Sequence, residues 1–143
     1  MSSKALHIRD AVITALSTPA LTGIGAGGVS VDPDYAFEAR DLPVVAVYLG
    51  DETTSVVMIG ADDHTLTLTV RIISKGSDAF ANGDAILVLA HARIVADRTL
   101  GGKALDVQSM GIRRSRDVLE VPVAVAELDY AVDYRTTETS LEN

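Results

Sequence analysis

The stretch TLTLTVRIIS, residues 65–74, decides the fold class because apolar and polar residues alternate from Thr65 to Ile72. Successive side chains of a β-strand point to opposite faces of the sheet, so this alternation predicts a half-buried strand. One face carries four aliphatic side chains and the other carries hydroxyl and guanidinium groups. The aliphatic residues are Leu66, Leu68, Val70 and Ile72.

A second strand comes shortly before this one in the chain. Residues 43–49, PVVAVYL, form a nearly continuous apolar run, as expected of a strand buried on both faces. Residues 50–65 join the two strands through a polar turn and an apolar cluster, so the region is predicted to be a long hairpin. The cluster is Val56, Val57, Met58 and Ile59. On a projecting hairpin this cluster would be an exposed interface, whereas inside the sheet it would be core, and both interpretations stay open.

Two amphipathic helices are predicted on either side of this hairpin. Residues 3–17 carry apolar side chains at helical spacing, with Ser2 or Ser3 placed to cap the start and Pro19 beyond the end. A short strand is expected around residues 28–31. The second helix is predicted to open at Ser77 and to end at TLGGKAL, residues 99–105. Its sheet-facing stripe is Phe80, Gly83, Leu87, Ala90 and Ile94.

The last third of the chain is predicted to be another hairpin, with residues 105–117 returning through residues 118–136. In the returning strand, one set of apolar residues lies on odd positions and a second set on even positions. These sets are Val121, Val123 and Val125, and then Leu128, Tyr130, Val132 and Tyr134. One face cannot hold both sets in a regular strand, so we expect a bulge or bend near residues 126–127.

The order of elements predicts an α+β fold: a mixed, mainly antiparallel β-sheet with two helices packed on one face. We expect a single domain over residues 1–143, with residues 136–143 as a frayed tail. The net charge of −8 argues against duplex nucleic acid or an anionic membrane as a partner. The chain has no cysteine, and its longest apolar runs are too short to span a bilayer, so we expect an intracellular protein.

A glycine motif at residues 21–31, LTGIGAGGVSV, has the spacing of a dinucleotide-binding fingerprint, formed by Gly23, Gly25 and Gly28. Asp51 even stands near the place of a ribose-binding carboxylate. However, the motif follows a predicted helix rather than a strand, and the residues after it have no helical stripe. Without a helix N-terminus to hold a pyrophosphate, the motif predicts a loop between a helix and a strand.

Other candidates for chemistry have equally weak support. Asp62, Asp63 and His64 could be metal ligands, but their adjacency favours a hydrated turn. His7 and His91 lie in predicted helices without visible partners. The paired carboxylates, Asp32 with Asp34 and Asp51 with Glu52, lie in turn-like surroundings. No nucleophile elbow is present, so we expect no enzymatic activity, no cofactor and no metal.

Three arginines lie close together in this acidic chain, at positions 113, 114 and 116. They could belong simply to a solvated strand. Alternatively, Arg113, Arg114 and Arg116 could form a docking patch, because arginine makes forked, charge-assisted bonds to carboxylates. The chain offers many carboxylates to copies of itself.

Four segments together resemble the phage tail terminator family, the minor-tail-protein-U-like proteins of long, flexible-tailed phages. They are HIRDAVITAL, DLPVVAVYLGDE, LTLTVRIIS and ELDYAVDYRT, in the family's order, and the resemblance covers roughly residues 6–135. The glycine-rich loop at 21–28 and TLGGKAL do not match the family pattern. The resemblance implies a hexameric ring at the head-proximal end of the virion tail, assembled in the host cytoplasm. Such a ring stops tube polymerisation and provides the surface for head–tail joining.

The implied partners are other copies of the chain, the tail tube protein and a head–tail connector or neck protein. Within a ring, Asp51 and Glu52 of one subunit could face Arg113, Arg114 or Arg116 of the next. The cluster of residues 56–59 would serve the subunit or tube interface. Two alternatives remain: a neck or tail-completion protein, and a ligand-binding module or enzyme with a pocket beneath the glycine loop.

Overall fold

The computed structural model describes residues 2–19, 21–24, 28–31, 43–118 and 122–142. Five strands form one sheet in the order β1-β2-β3-β5-β4, in which only the β1–β2 pair is parallel. The predicted α+β class is therefore confirmed. The elements are α1 (Lys4–Ser17), β1 (Val29–Ser30), β2 (Val44–Met58), β3 (Ala61–Lys75), α2 (Ala79–Val95), β4 (Asp106–Val118) and β5 (Pro122–Thr137).

Strand β3 lies at the centre of the sheet, and its alternation places the core. The four aliphatic residues predicted for one face are all buried, and Leu68 lies between Leu49 of β2 and Tyr130 of β5. The same face receives both helices, which contribute Ile8, Val12, Leu16, Ile86, Ala90 and Ile94 to the main apolar cluster. The core is therefore a layer between this face of the sheet and the two helices.

Helix boundaries follow local signals. The Ser3 hydroxyl accepts a hydrogen bond from the backbone N–H of Leu6 at 3.3 Å, which caps the start of α1. In α2, Gly83 allows the helix to lie close to β3, because a Cβ there would stand 2.6 Å from Ser74 Oγ. Phe80 faces the sheet at its β4 edge, where its ring lies 4.8 Å from the guanidinium of Arg116, but its side chain is 37% exposed. Ile86, which the predicted stripe did not include, is buried.

The predicted bulge near residues 126–127 is also wrong. Strand β5 pairs with β3 without a register shift from Val123 to Thr137. Of the odd-numbered valines, Val121 lies outside the described residues, and Val123 and Val125 join Val44 in a second apolar cluster on the face opposite the helices. Both faces are therefore covered at this end of the sheet, and a regular strand buries the described members of both sets.

The chain after β5 stays close to the first helix. Thr136 is buried in the strand. Beyond it, the backbone N–H of Glu138 donates to the carbonyl of Gly60 at 3.2 Å, and the N–H of Lys4 donates to the carbonyl of Leu141 at 2.8 Å. No helix within the described ranges is long and apolar enough to cross a membrane.

Candidate assembly surfaces

Two long sheet edges are open in the part of the chain that the structure describes. Strand β1 covers the outer side of β2 only at Val45 and Ala46. The rest of β2, residues 47–58, has no strand on that side among the described residues, and neither has β4 along its length. Unpaired edge backbone can accept another strand, so both edges are candidate interaction surfaces.

A bulge in β2 changes which residues face the helices. Leu49 pairs with Leu68 of β3, and Glu52 pairs with Leu66. Gly50 and Asp51 of β2 therefore both lie opposite Thr67, the single residue between Leu66 and Leu68. Odd positions face the helices before the bulge, and even positions face them after it. Glu52 therefore lies on the helix side of the sheet, as do Thr54 and Val56. Asp51 lies within the bulge and is exposed.

The carboxylate of Glu52 is held in place by residues of β3 and β5. The hydroxyl of Tyr134 donates a hydrogen bond to it, and the Nδ1 atom of His64 lies 3.9 Å from Oε1. Burial raises the pKa of Tyr134 above its ordinary value, and the hydrogen bond to Glu52 raises it further. Since the side chain of Glu52 is 31% exposed, it presents an oriented negative charge at the edge of the sheet.

His64 is a buried residue of the sheet rather than part of a turn. Its ring nitrogens form hydrogen bonds with the hydroxyls of Thr54 at 2.9 Å and Thr136 at 2.8 Å, and its ring stacks on Tyr134. Asp62 and Asp63 also lie in β3, so the predicted hydrated turn is wrong. No group of metal ligands is present among the described residues.

Asp63 lies on the opposite face and is paired within the chain. The guanidinium of Arg135 reaches its Oδ1 atom at 2.6 Å and lowers the pKa of that carboxyl. This ion pair joins Asp63 of β3 to Arg135 of β5, so the role of Asp63 is to stabilise the sheet rather than to form part of a binding site.

The apolar cluster of residues 56–59, here called the hairpin tip, lies at the turn between β2 and β3. Val56 is 75% exposed and Ile59 is 99% exposed, and both other members are exposed too. Gly60 closes the turn with a φ of +90°, a conformation that glycine adopts without strain. The cluster is therefore exposed rather than part of the core, and its role as an interface stays a prediction. However, β3 stays paired with β5 as far as Ala61, so the tip is the end of the sheet rather than a separate arm.

The three arginines of β4 divide between the two faces of the sheet. Arg113 lies on the face opposite the helices, where it bonds to Asp129 at 2.8 Å and Glu127 at 3.1 Å. Its hydrogen bond is the largest cause that lowers the pKa of Asp129. Arg114 and Arg116 lie on the helix side, with weaker contacts within the chain. Arg114 is 3.6 Å from Asp84, and the guanidinium of Arg116 lies 4.8 Å from the centre of the Phe80 ring.

The remaining sequence candidates are not brought together. His91 forms a hydrogen bond with the Tyr130 hydroxyl at 2.8 Å. His7 lines a surface cleft of about 450 Å³ between α1, α2 and residues 97–103. Of the glycine motif, Gly25 lies outside the described residues, as do Asp32 and Asp34.

His64 and Tyr134 were not identified from the sequence as the residues that orient Glu52. These contacts depend on the register between the strands, which cannot be deduced from the sequence. One signal was present: His64 continues the phase of Leu66 and Leu68 and so belongs to the helix-facing side of β3. That phase could have placed His64 in the sheet.

In sequence, the chain matches no known family profile and no curated protein. In structure, it is similar to a chain in the virion of a native gene transfer agent particle, with a TM-score of 0.53 and 15% identity. The likeness covers 94% of this chain and 92% of the other. At that level of identity, the comparison establishes a shared fold across almost the whole of both chains.

Proposed function

We propose that this protein is a structural component of a phage-like virion and has no enzymatic activity. The observation that carries the proposal is the fold likeness to a chain of a gene transfer agent virion, which extends over 94% of this chain. The absence of a metal-ligand group among the described residues is compatible with this role.

Within this class, we propose the role of a tail terminator that caps the head-proximal end of the tail tube as a ring, six subunits being the expected number. The open edges of β2 and β4 support this role because they are different surfaces of one chain. A contact between unlike surfaces is heterologous, and repeated copies of such a contact close into a ring when the rotation allows it.

We propose a separate role for the β2 edge, the β4 edge and the hairpin tip. Glu52, with Asp51 beside it, supplies negative charge at one edge, and Arg114 and Arg116 supply positive charge at the other. Arg113 is already bonded within the chain and is the weakest candidate of the three for an intersubunit contact. The hairpin tip presents exposed apolar side chains to the tube or to the head–tail connector.

The test is to incubate the purified protein with tail tubes and to follow its mass by analytical ultracentrifugation and its location by negative-stain microscopy. We expect a ring of about six subunits at one end of each tube, and tubes that no longer elongate. A protein that stays monomeric with tubes present would contradict the proposal.

A neck or tail-completion protein would also form a ring, so the same experiment is repeated with isolated head connectors. Binding to connectors but not to tube ends would favour that role. The cleft lined by His7, Arg93 and Lys103 gives the ligand-binding alternative a specific place. Thermal stabilisation by a small molecule, together with a monomer that ignores tubes, would favour that alternative.

A further inference from the structure

We infer that β4 of one copy adds to the open edge of β2 in the next copy, in the register that sets Arg114 opposite Glu52. The inference rests on the proposed ring and identifies the contact that closes it. Because β2 is antiparallel to β3, β3 to β5 and β5 to β4, strands β2 and β4 run in opposite directions. In a ring of identical copies, β4 of one copy and β2 of the next therefore run antiparallel to each other and can join in one sheet.

Strand β1 restricts the register of this contact. Through β5 and β3, Arg113 lies at the same level of the sheet as Ala46, whose outer side is occupied by β1. Without a displacement along the strands, β4 of one copy would therefore collide with β1 of the next. To avoid β1, β4 must be displaced toward the hairpin tip of the next copy. A displacement of six residues brings the end of β4, Val118, level with Val47, the first residue of β2 beyond the two that pair with β1 among the described residues. A displacement of four would leave Val118 level with Val45, which β1 covers.

The faces of the sheet exclude odd displacements. Glu52 and Arg114 both lie on the helix side, and a shift by one residue would set Glu52 opposite Arg113 on the other face. Six is thus the smallest even displacement that clears β1. At this displacement Glu52 is level with Arg114, and Val56 is level with Ser109.

The chemistry of the facing residues agrees with this register. Glu52 is oriented by Tyr134, and within the described ranges Arg114 has a single ionic contact, 3.6 Å from Asp84, so the two can form a charge-assisted pair across the edge. Val56 would meet the bulged residue Met110, and Ile112 would lie against Thr54. Val56, Met110 and Ile112 are exposed in the single chain, and the contact would cover them.

Ring closure is compatible with the displacement. Four strands at about 4.8 Å each span about 19 Å, and six residues at about 3.3 Å each span about 20 Å. The strands would therefore tilt by about 45°, within the range of roughly 35–45° that closed barrels show.

The chain has no cysteine, so introduced pairs report the register directly. Opposite residues of antiparallel strands bring their Cβ atoms to about 4.5–5.5 Å, close to what a disulfide needs. We expect Val56→Cys with Ser109→Cys to give a ladder of covalent multimers on a non-reducing gel when rings are formed. The control, Ser55→Cys with Ser109→Cys, is one residue out of register and should give at least tenfold less cross-linked product. All three positions, Ser55, Val56 and Ser109, are exposed, so folding is expected to persist.

A charge exchange tests the pair itself. Glu52→Arg and Arg114→Glu should each lower the assembled fraction at least tenfold, and the double variant should restore it. Rings on tube ends without the Val56–Ser109 cross-link, or with the control cross-link instead, would overturn this register and leave the proposed function standing. If the unmodified chain forms no ring with or without tubes, both proposals fail.

Discussion

The two halves of β2 pair with the same neighbour but are stabilised in different ways. Residues 44–47 are buried on both sides of the sheet, whereas residues 51–58 are exposed. The first half is held by apolar packing under the helices. The second half is held by polar contacts from Glu52 and Thr54 to His64 and Tyr134. Both halves therefore share the pairing with β3 and differ in burial. The buried half belongs to the core, and the exposed half is the candidate assembly surface.

The largest expected change in stability comes from replacing a valine by alanine in the buried half of β2. The same substitution in the exposed half is the control. Val47→Ala removes two buried methyl groups and should lower the free energy of unfolding by about 2 kcal/mol. Val57→Ala removes the same groups from an exposed site and should change it by less than about 0.5 kcal/mol. Urea unfolding followed by circular dichroism measures both. Equal losses would mean that the tip is packed in the single chain and would contradict the difference in burial between the two halves of β2.

A smaller effect tests the polar half. Tyr134→Phe removes the hydroxyl that donates to Glu52 and should lower the free energy of unfolding by about 1–2 kcal/mol. The matched control is Tyr48→Phe on the opposite face, where the Tyr48 hydroxyl donates to Glu127 at 2.6 Å. Glu127 keeps Arg113 as a partner, so the control should lose only about 0.5 kcal/mol. The same urea titration reads both variants, and a larger loss for the control would contradict the anchoring role of Tyr134.

The sequence predicts the parts of this fold that depend on period and local signals. The alternation in residues 65–74 identifies both β3 and its buried face, and the cap and spacing of residues 3–17 identify α1. The bulge was predicted in the wrong strand because β5 was assumed to have only one buried face. The second cluster around Val44 removes the need for a bulge there.

The sequence predicts where the candidate surface residues lie, but not which of them are already paired within the chain. Alternation alone separates Arg113 from Arg114 and Arg116. It does not show that Asp129 and Glu127 already bind Arg113, because those partners are set by the register between β4 and β5. In the same way, the orientation of Glu52 depends on a bulge whose only sequence signal is Gly50.

A pH titration sharpens the contrast between the two arginine groups. Arg113 lowers the pKa of Asp129 in the folded chain, so this carboxylate stabilises the fold above its unfolded pKa of about 3.9, and that stability is lost as the pH falls through the folded value. Asp129→Asn should therefore flatten the fall of unfolding free energy below about pH 4. Asp84→Asn, which removes the carboxylate near Arg114, is measured beside it as the control. Identical acid limbs for Asp129→Asn and the unmodified chain would contradict the pairing.

The smallest expected effect on stability belongs to the hairpin tip. Ile59 is 99% exposed, so Ile59→Asp removes almost no packing and should change the free energy of unfolding by less than about 0.5 kcal/mol. The turn itself depends on Gly60, which the variant keeps. If the tip contacts the tube, a charge at its most exposed position must be desolvated on binding, and tube capture in a sedimentation assay should fall at least tenfold. Ile59→Val, which keeps an apolar side chain, should bind as the unmodified chain does. Full capture by Ile59→Asp would remove the tip from the proposed tube interface and leave the edges of β2 and β4 as the remaining candidate assembly surfaces.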